Sequence, residues 1–244
     1  MSTGLLIVGH GSRDSNANVE FEDLVAAYRA ARPDLDVAHG YVELARPSLA
    51  TALRELAQRA DSVVVLPLFL FAAGQDTSAK LLGNAMRRIA DTPALQQQLR
   101  GNPGLIPSFL EEVLRLEGST KATFRLARRK TRIGEFEVPA GKRVVVALAA
   151  ANRDPRRWDE PQEFRFDRPR IREHLAFGRG VHTCIGAPLA RAEVRVILEH
   201  FLQHTSAISL SEEKHGKPGN RRLDYEPSFI IRGLANLHVE LAGK

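Results

Sequence analysis

Residues 177–186 read F-G-R-G-V-H-T-C-I-G and contain Cys184, the only cysteine of the chain. Gly178 and Gly180 precede the cysteine and Gly186 follows it, so the backbone can bend there in ways that a side chain would forbid. Apolar residues with i, i+3, i+4, i+7 spacing come next and predict a helix. A helix N-terminus favours a thiolate, which predicts a nucleophile, a redox centre or a metal ligand. A small buried thiol beside a tight turn is the alternative. The helix positions are Val194, Ile197, Leu198 and Phe201.

Five positions of this stretch form the pattern F-x-x-G-x-H-x-C-x-G. The pattern resembles the heme-binding loop of the cytochrome P-450 family. The resemblance implies that heme b binds here with Cys184 as its axial thiolate ligand, which donates electron density that favours O–O cleavage. It also implies that Phe177 packs near the sulfur and that His182 reaches a heme propionate. The implied cofactor-binding residues are Phe177, Gly178, His182, Cys184 and Gly186.

The chain has 244 residues, of which 43% are hydrophobic and 26% charged, as in ordinary globular proteins. A single cysteine excludes an internal disulfide framework, and no apolar run reaches the length of a membrane span. The first residues lack the charged region of a signal peptide, so we expect a cytoplasmic protein without membrane contact. The net charge is +6, but no basic motif interleaved with aromatic residues occurs, so we expect no nucleic-acid partner.

The first 70 residues alternate between strand and helix patterns. Segments 5–8, 35–42 and 62–69 predict strands, and the segments between them carry helical periodicity. The order strand–helix–strand–helix–strand predicts right-handed crossovers and a parallel sheet. A site in such a sheet lies beyond the carboxyl ends of the strands, which is where His10 and Glu43 fall.

Three segments of this region resemble the class II chelatases, which insert cobalt or iron into sirohydrochlorin. They read G-H-G-S-R at 9–13, E-L-A-R-P-S at 43–48 and V-L-P-L-F-L at 65–70. The resemblance implies that His10 is a metal ligand or a proton acceptor and that Glu43 is a second polar group beside it. A histidine that only hydrogen-bonds its own turn is the alternative.

The resemblance changes after the third predicted strand. The chelatase family has a second active-site histidine about where Gln75 stands, and residues 73–78 here read A-G-Q-D-T-S. This stretch resembles A-G-x-D-T-S, the oxygen-activating part of the central cytochrome P-450 helix, which implies proton delivery by Asp76 and Thr77. Three consecutive valines and Pro67 favour a strand up to residue 70. We therefore predict that the helix begins only near Gln75, with Thr77 in its first turn.

The predicted helix at 107–116 carries the sequence E-V-L-R, whose i, i+3 spacing puts Glu112 and Arg115 on one face. By resemblance to the cytochrome P-450 family, the two residues form a structural ion pair that supports the heme side. The third, basic partner of this pair falls at Glu163 in this chain, so we expect Arg165 or Arg157 to substitute for it.

Residues 70–244 resemble the C-terminal part of the cytochrome P-450 family in order, with a hairpin predicted at 124–138 and a strand-rich region at 209–238. We therefore predict a mixed α/β chain in two parts. Residues 1–74 should form a three-stranded parallel βαβαβ half-domain of chelatase type. Residues 75–244 should form a mainly helical, truncated cytochrome P-450 region with small β-hairpins. We therefore expect the chain to be a chimera of the two families.

Three functional hypotheses follow from these resemblances. The first is a heme-thiolate monooxygenase-type enzyme, impaired by truncation, that hydroxylates a small organic substrate with electrons from a ferredoxin-like or flavoprotein donor. The second is a sirohydrochlorin metal chelatase that uses His10. The third is a chimeric fragment without catalytic activity.

Overall fold

The computed structural model describes residues 2–244, apart from the side chains of residues 69–72. The chain forms two compact units, Met1–Gln75 and Asp76–Lys244. None of the helices in the described part combines the length and the hydrophobicity that a bilayer span requires.

The first unit is built on a parallel three-stranded sheet with the strand order β2-β1-β3. Each pair of consecutive strands is joined through a helix, as the alternating sequence pattern predicts. The mixed α/β fold and the parallel N-terminal sheet are therefore confirmed. In chain order the elements are β1 (Thr3–Gly9), α1 (Ser15–Ala31), β2 (Asp36–Tyr41), α2 (Leu49–Ala57) and β3 (Ser62–Pro67).

The central strand β1 is buried on both faces because a helix covers each side of the sheet. Leu5 and Ile7 pack with Val25 of α1, whereas Leu6 and Val8 belong to a cluster with two residues of α2. The edge strand β3 is different, since its apolar side chains are largely exposed. Those exposed residues are Val64, Val65 and Leu66.

The junction after β3 differs from the prediction. The strand ends at Pro67, and α3 (Leu68–Asp91) begins at the next residue and not near Gln75. Pro67 has no N–H to give to a sheet, and residues 68–73 are leucine, phenylalanine and alanine, without proline or a β-branched residue that would oppose a helix. Asp76 and Thr77 therefore lie in the third turn of α3, with helix on both sides.

The second unit has a mainly helical core. Apolar residues of α3 pack with those of the following helices and of the strand after the last long helix, and Phe109 is fully buried at the centre. Helix α4 was not predicted, because Pro93 both ends α3 and begins α4 at a position where its missing N–H costs nothing. The helices are α4 (Pro93–Gly101), α5 (Ile106–Glu117), α6 (Leu148–Ala151), α7 (Ala187–His204) and α8 (Glu212–His215).

The strands of the second unit form two-stranded antiparallel sheets. The hairpin predicted at 124–138 is confirmed only in part, because β5 and β6 pair around Gly134, whereas β4 pairs with β7 outside the predicted range. The region predicted to be strand-rich at 209–238 contains only the end of β8, at Ser209 and Leu210. Its other described residues form the short helix α8 and isolated bridges, and β9 begins after it. The strands are β4 (Thr123–Leu126), β5 (Thr131–Ile133), β6 (Phe136–Val138), β7 (Arg143–Val146), β8 (Thr205–Leu210) and β9 (Val239–Gly243).

The position of Phe109 predicts a large effect on stability. Its ring contacts those of Phe164 and Phe166, with centroids 5.7 and 6.4 Å away. Phe109→Ala should lower the free energy of unfolding by about 3–5 kcal/mol, because it leaves a cavity in the core. Phe136→Ala is the matched control, since Phe136 is 79% exposed. Urea denaturation measures both, and equal midpoints for the two variants would contradict the packing described.

Candidate functional site

The cysteine loop, residues 177–186, lies directly before α7. The Cys184 N–H donates to the Phe177 carbonyl (2.8 Å), and the Ala187 N–H donates to the Cys184 carbonyl (3.3 Å). Gly178 and Gly180 have φ values of 68° and 80°, in the left-handed region where other residues are strained. These turns fold the loop back on itself and leave Cys184 exposed. The alternative of a buried, inert thiol is therefore wrong.

Apolar side chains surround the exposed cysteine in the sequence. Val181 is 98% exposed and Ile185 is 72% exposed, and Leu189 on the first turn of α7 is also exposed. His182 lies on the exposed side of the same loop. Several exposed apolar side chains close to a polar group in the sequence are consistent with a contact or ligand-binding surface.

The donor set of the loop suits a heme iron. Cys184 offers one soft sulfur ligand, and the described residues contain no group of three or more His, Cys, Asp or Glu side chains that could hold a metal ion by themselves. A single thiolate suits an iron whose remaining equatorial ligands come from a macrocycle. The residues of the loop therefore fit the axial position of heme.

The ring of Phe177 packs on Arg191, which is itself held by a buried carboxylate. The guanidinium of Arg191 lies 4.5 Å from the centre of the Phe177 ring. Arg191 also donates two hydrogen bonds to Glu111 on α5, at 2.6 and 3.0 Å. Burial alone would raise the pKa of Glu111, but hydrogen bonds from His174 and Arg191 lower it to about 2. Glu111 is therefore a fixed anion beneath the cysteine loop.

His174 completes this anchor and its tautomer is defined by its partners. Its Nδ1 accepts a hydrogen bond from the Ala176 N–H at 3.2 Å, so the ring proton lies on Nε2. Nε2 then donates to Glu111 at 2.9 Å. His174 thereby connects the chain entering the cysteine loop to α5, and Arg191 connects α7, which follows the loop, to the same residue. The sequence analysis missed Glu111 and His174, because helical periodicity does not reveal which charged residues are buried as partners.

The predicted pair of Glu112 and Arg115 is fully buried. Arg115 donates two parallel hydrogen bonds to the Glu112 carboxylate, at 2.7 and 2.8 Å. Arg115 also donates to the carbonyl oxygens of Asn152 and Pro161, both at 2.8 Å. A buried ion pair is stable only when its remaining donors and acceptors are also satisfied. The pair therefore holds the irregular segment after α6 against α5.

The third partner of this pair is Arg168, so the expectation of Arg165 or Arg157 is wrong. Arg168 is buried and donates to Glu112 at 3.0 Å, whereas Arg165 reaches Glu112 only through its backbone N–H at 2.9 Å. Arg157 pairs with Glu173 instead. The sequence contains a signal for this choice, because Arg168 continues the period-two spacing of Phe164 and Phe166, which both pack on the core.

Asp76 is held by a buried cation in the same unit. Lys80, one turn further along α3, forms an ion pair with Asp76 and another with Glu226 at 3.0 Å. Burial would lower the pKa of Lys80, but its hydrogen bonds to Asp76 and Glu226 raise it above its ordinary value. Thr77 is half-buried on the same helix. The carboxylate of Asp76 is therefore engaged, and any proton transfer by it would compete with Lys80.

In the first unit, His10 and Glu43 lie close together at the carboxyl end of the sheet. His10 Nε2 is 3.5 Å from Glu43 Oε1, and both side chains are largely exposed. The Glu43 N–H donates to the His10 carbonyl at 3.0 Å, which ties the two loops together. Gly11 between them has a φ of 89°. The arrangement provides an exposed acid–base pair, without a metal-binding group of three or more side chains in the described residues.

Loss of Arg168 should be strongly destabilising. Arg168→Ala leaves the buried Glu112 with one cation fewer, which should lower the free energy of unfolding by about 3–5 kcal/mol. The neighbouring Arg165→Ala is the control, because exposed ion pairs contribute at most about 1 kcal/mol. Chemical denaturation of both variants tests this. An effect of Arg165→Ala as large as that of Arg168→Ala would contradict the assignment of Arg168 as the third partner of Glu112 and Arg115.

Glu111 predicts a specific dependence of stability on pH. Its pKa is lowered in the folded state from 4.5 to about 2, so its contribution is fully present above pH 4.5 and is lost as the pH falls towards 2. The contribution should amount to about 3 kcal/mol. Denaturation of the parent and of Glu111→Gln should show a stability difference that shrinks over this window. A pH-independent difference would contradict the buried anion.

Two family models match the chain. Residues 104–221 match the Cytochrome P450 family, and residues 4–93 match the CbiX family. The second match agrees with the chelatase resemblance of the N-terminal sequence and extends past the boundary expected at residue 74.

Similar proteins support the first match. Cytochrome P450 144 of Mycobacterium tuberculosis is 40% identical over 175 residues, which are 72% of this chain and 38% of that protein. Cytochrome P450 107B1 of Saccharopolyspora erythraea is 34% identical over 78% of this chain and 47% of that protein. The substrate-free structure of Mycobacterium marinum cytochrome P450 CYP150A6 superposes with a TM-score of 0.76 and 42% identity, covering 95% of this chain and 56% of that one.

The chain spans 38% to 56% of the length of these relatives. Its cysteine loop and its buried Glu112–Arg115 pair lie within residues 104–221, the range that matches the Cytochrome P450 family. The chain is therefore a chimera by sequence, with a CbiX-type segment at its N-terminus and a segment homologous to cytochromes P450 over its C-terminal part.

Proposed function

We propose that this chain binds heme b through the thiolate of Cys184 and is a heme-thiolate, monooxygenase-type protein whose activity is impaired by truncation. The observation that carries the proposal is the exposed Cys184, held before α7 by a backbone hydrogen bond to Phe177. The homology to cytochromes P450 supports it. In domain terms, we propose a chelatase-like half-domain at 1–74 and a heme-binding region at 75–244.

The bound heme would supply oxygen activation, and the thiolate would favour O–O cleavage by donating electron density. The protein's own part is to hold the Cys184 sulfur in place. Glu111 fixes Arg191, and Arg191 lies under Phe177, so the residue that accepts the Cys184 N–H is supported from the core. We propose that His182 binds a heme propionate from the exposed side of the loop.

Proton delivery by Asp76 and Thr77 would be hindered in this chain. Asp76 is paired with Lys80, whose own pKa is raised, so Lys80 does not release this carboxylate by losing its proton near neutral pH. We infer that the ion pair with Lys80 slows proton delivery by Asp76 and thereby limits turnover.

The proposed partners follow from the same family. An electron donor of ferredoxin or flavoprotein type would supply reducing equivalents, and its acidic surface would match the net charge of +6. The proposed substrate is a small organic molecule.

Heme ligation is tested by absorption spectroscopy. The purified protein, reconstituted with hemin, reduced and exposed to carbon monoxide, should show the red-shifted Soret band of thiolate ligation. Cys184→Ser should abolish this shift, since serine offers no soft ligand. Thr183→Ser, which introduces no change at the sulfur, is the matched control and should keep it. An unshifted band in the parent would refute thiolate ligation, and no heme uptake at all would favour the non-catalytic fragment.

The His10–Glu43 pair supports a second candidate function, metal insertion into sirohydrochlorin. The chelatase family has a second histidine about where Gln75 stands in this chain. Gln75 offers no imidazole nitrogen, so a metal ion here would have only His10 and Glu43 as ligands of this set. We therefore expect insertion of cobalt near the uncatalysed background, and little change in His10→Ala. Rapid insertion that disappears in His10→Ala, but persists in the control His39→Ala, would promote the chelatase hypothesis over the first.

A further inference from the structure

The C-terminal end of α7 carries two exposed histidines one helical turn apart, His200 and His204. Their rings stack with centroids 4.1 Å apart and an angle of 28° between the planes. Side chains at i and i+4 share one helix face, and this is the spacing of the two zinc-binding histidines in H-E-x-x-H helices. Both imidazoles therefore lie side by side on one face of the helix.

The tautomer of His204 is set by the helix itself. Its Nδ1 lies 3.0 Å from the backbone carbonyl oxygen of His200. Because a carbonyl oxygen can only accept, Nδ1 carries the proton, and in the neutral ring the lone pair lies on Nε2. A ring proton donated to a backbone carbonyl is the usual support of a metal-binding histidine, since it fixes the ring and leaves the other nitrogen free to coordinate.

We propose that His200 and His204 form a two-histidine site for a divalent late transition metal ion, with Zn²⁺ as the type ion and water in its other positions. Imidazole nitrogen suits Zn²⁺, Ni²⁺ and Cu²⁺, whereas Mg²⁺ and Ca²⁺ prefer oxygen. The described residues contain no cluster of three or more such ligands, so two protein ligands hold the ion and open positions remain.

This site is separate from the cysteine loop. His200 lies thirteen residues after Ala187, where α7 begins, which is roughly 20 Å along the helix at 1.5 Å per residue. The inference therefore does not depend on heme binding by Cys184 or on the proposed function.

Calorimetric titration with Zn²⁺ and with Cu²⁺ tests the site. The full chain is used with Cys184→Ser in every sample, because an exposed thiol would bind these ions itself. The parent should bind one ion, Cu²⁺ more tightly than Zn²⁺, and Mg²⁺ should not bind. His200→Ala and His204→Ala should each weaken Zn²⁺ binding by about tenfold or more, since each removes one of two ligands.

A variant with rearranged histidines separates the paired site from the effect of histidine content. His204→Gln combined with Lys217→His keeps the eight histidines of the chain but removes the i, i+4 pair. This variant should bind Zn²⁺ as weakly as His204→Ala. Retained parental affinity in it, or in both alanine variants, would overturn the proposal.

Thermal unfolding gives a second readout. An ion that binds only the folded chain raises its melting temperature. Zn²⁺ should raise the melting temperature of the parent by more than that of His200→Ala, with circular dichroism showing that both are folded. An equal shift in parent and variant would place the ion elsewhere and contradict the site.

Discussion

Two adjacent carboxylates on α5, Glu111 and Glu112, are buried and need cationic or hydrogen-bonding partners, most of which come from other parts of the chain. A buried carboxylate without partners costs several kcal/mol, so the fold is constrained to bring those partners in. Glu112 recruits Arg168 from the irregular segment after α6, and Glu111 recruits His174 and Arg191 from either side of the cysteine loop. Two neighbouring residues of α5 therefore fix both the irregular segment after α6 and the chain on either side of the cysteine loop.

The cysteine loop depends on this constraint because its own hydrogen bonds are few. The loop has exposed side chains from 179 to 185, so hydrophobic burial cannot hold it in place. Its fixed point is Phe177, which accepts the Cys184 N–H and is itself supported by Arg191 over Glu111. The position of the thiol thus follows from a buried anion on a different helix.

The sequence allowed the fold to be predicted where local patterns decide the structure, as in the parallel sheet of the first unit. The predicted start of α3 is too late. The strand preference of the valines in β3 extends only to Pro67, and the helix begins at the next residue. Arg168 and His174 could not be assigned from helical periodicity, since they lie in irregular segments and act through long-range pairing. Sequence order and resemblance predicted the residues of the cysteine loop, but not the anchor beneath them.

We infer that Glu111 holds the cysteine loop in place before any cofactor binds. Amide hydrogen exchange of Cys184, measured by NMR on the protein without added heme, tests it most directly. The Cys184 N–H donates to Phe177, so it should be protected in the parent and should exchange about tenfold faster or more in Glu111→Ala. Equal exchange rates in parent and variant, with the rest of α5 still protected, would contradict the account.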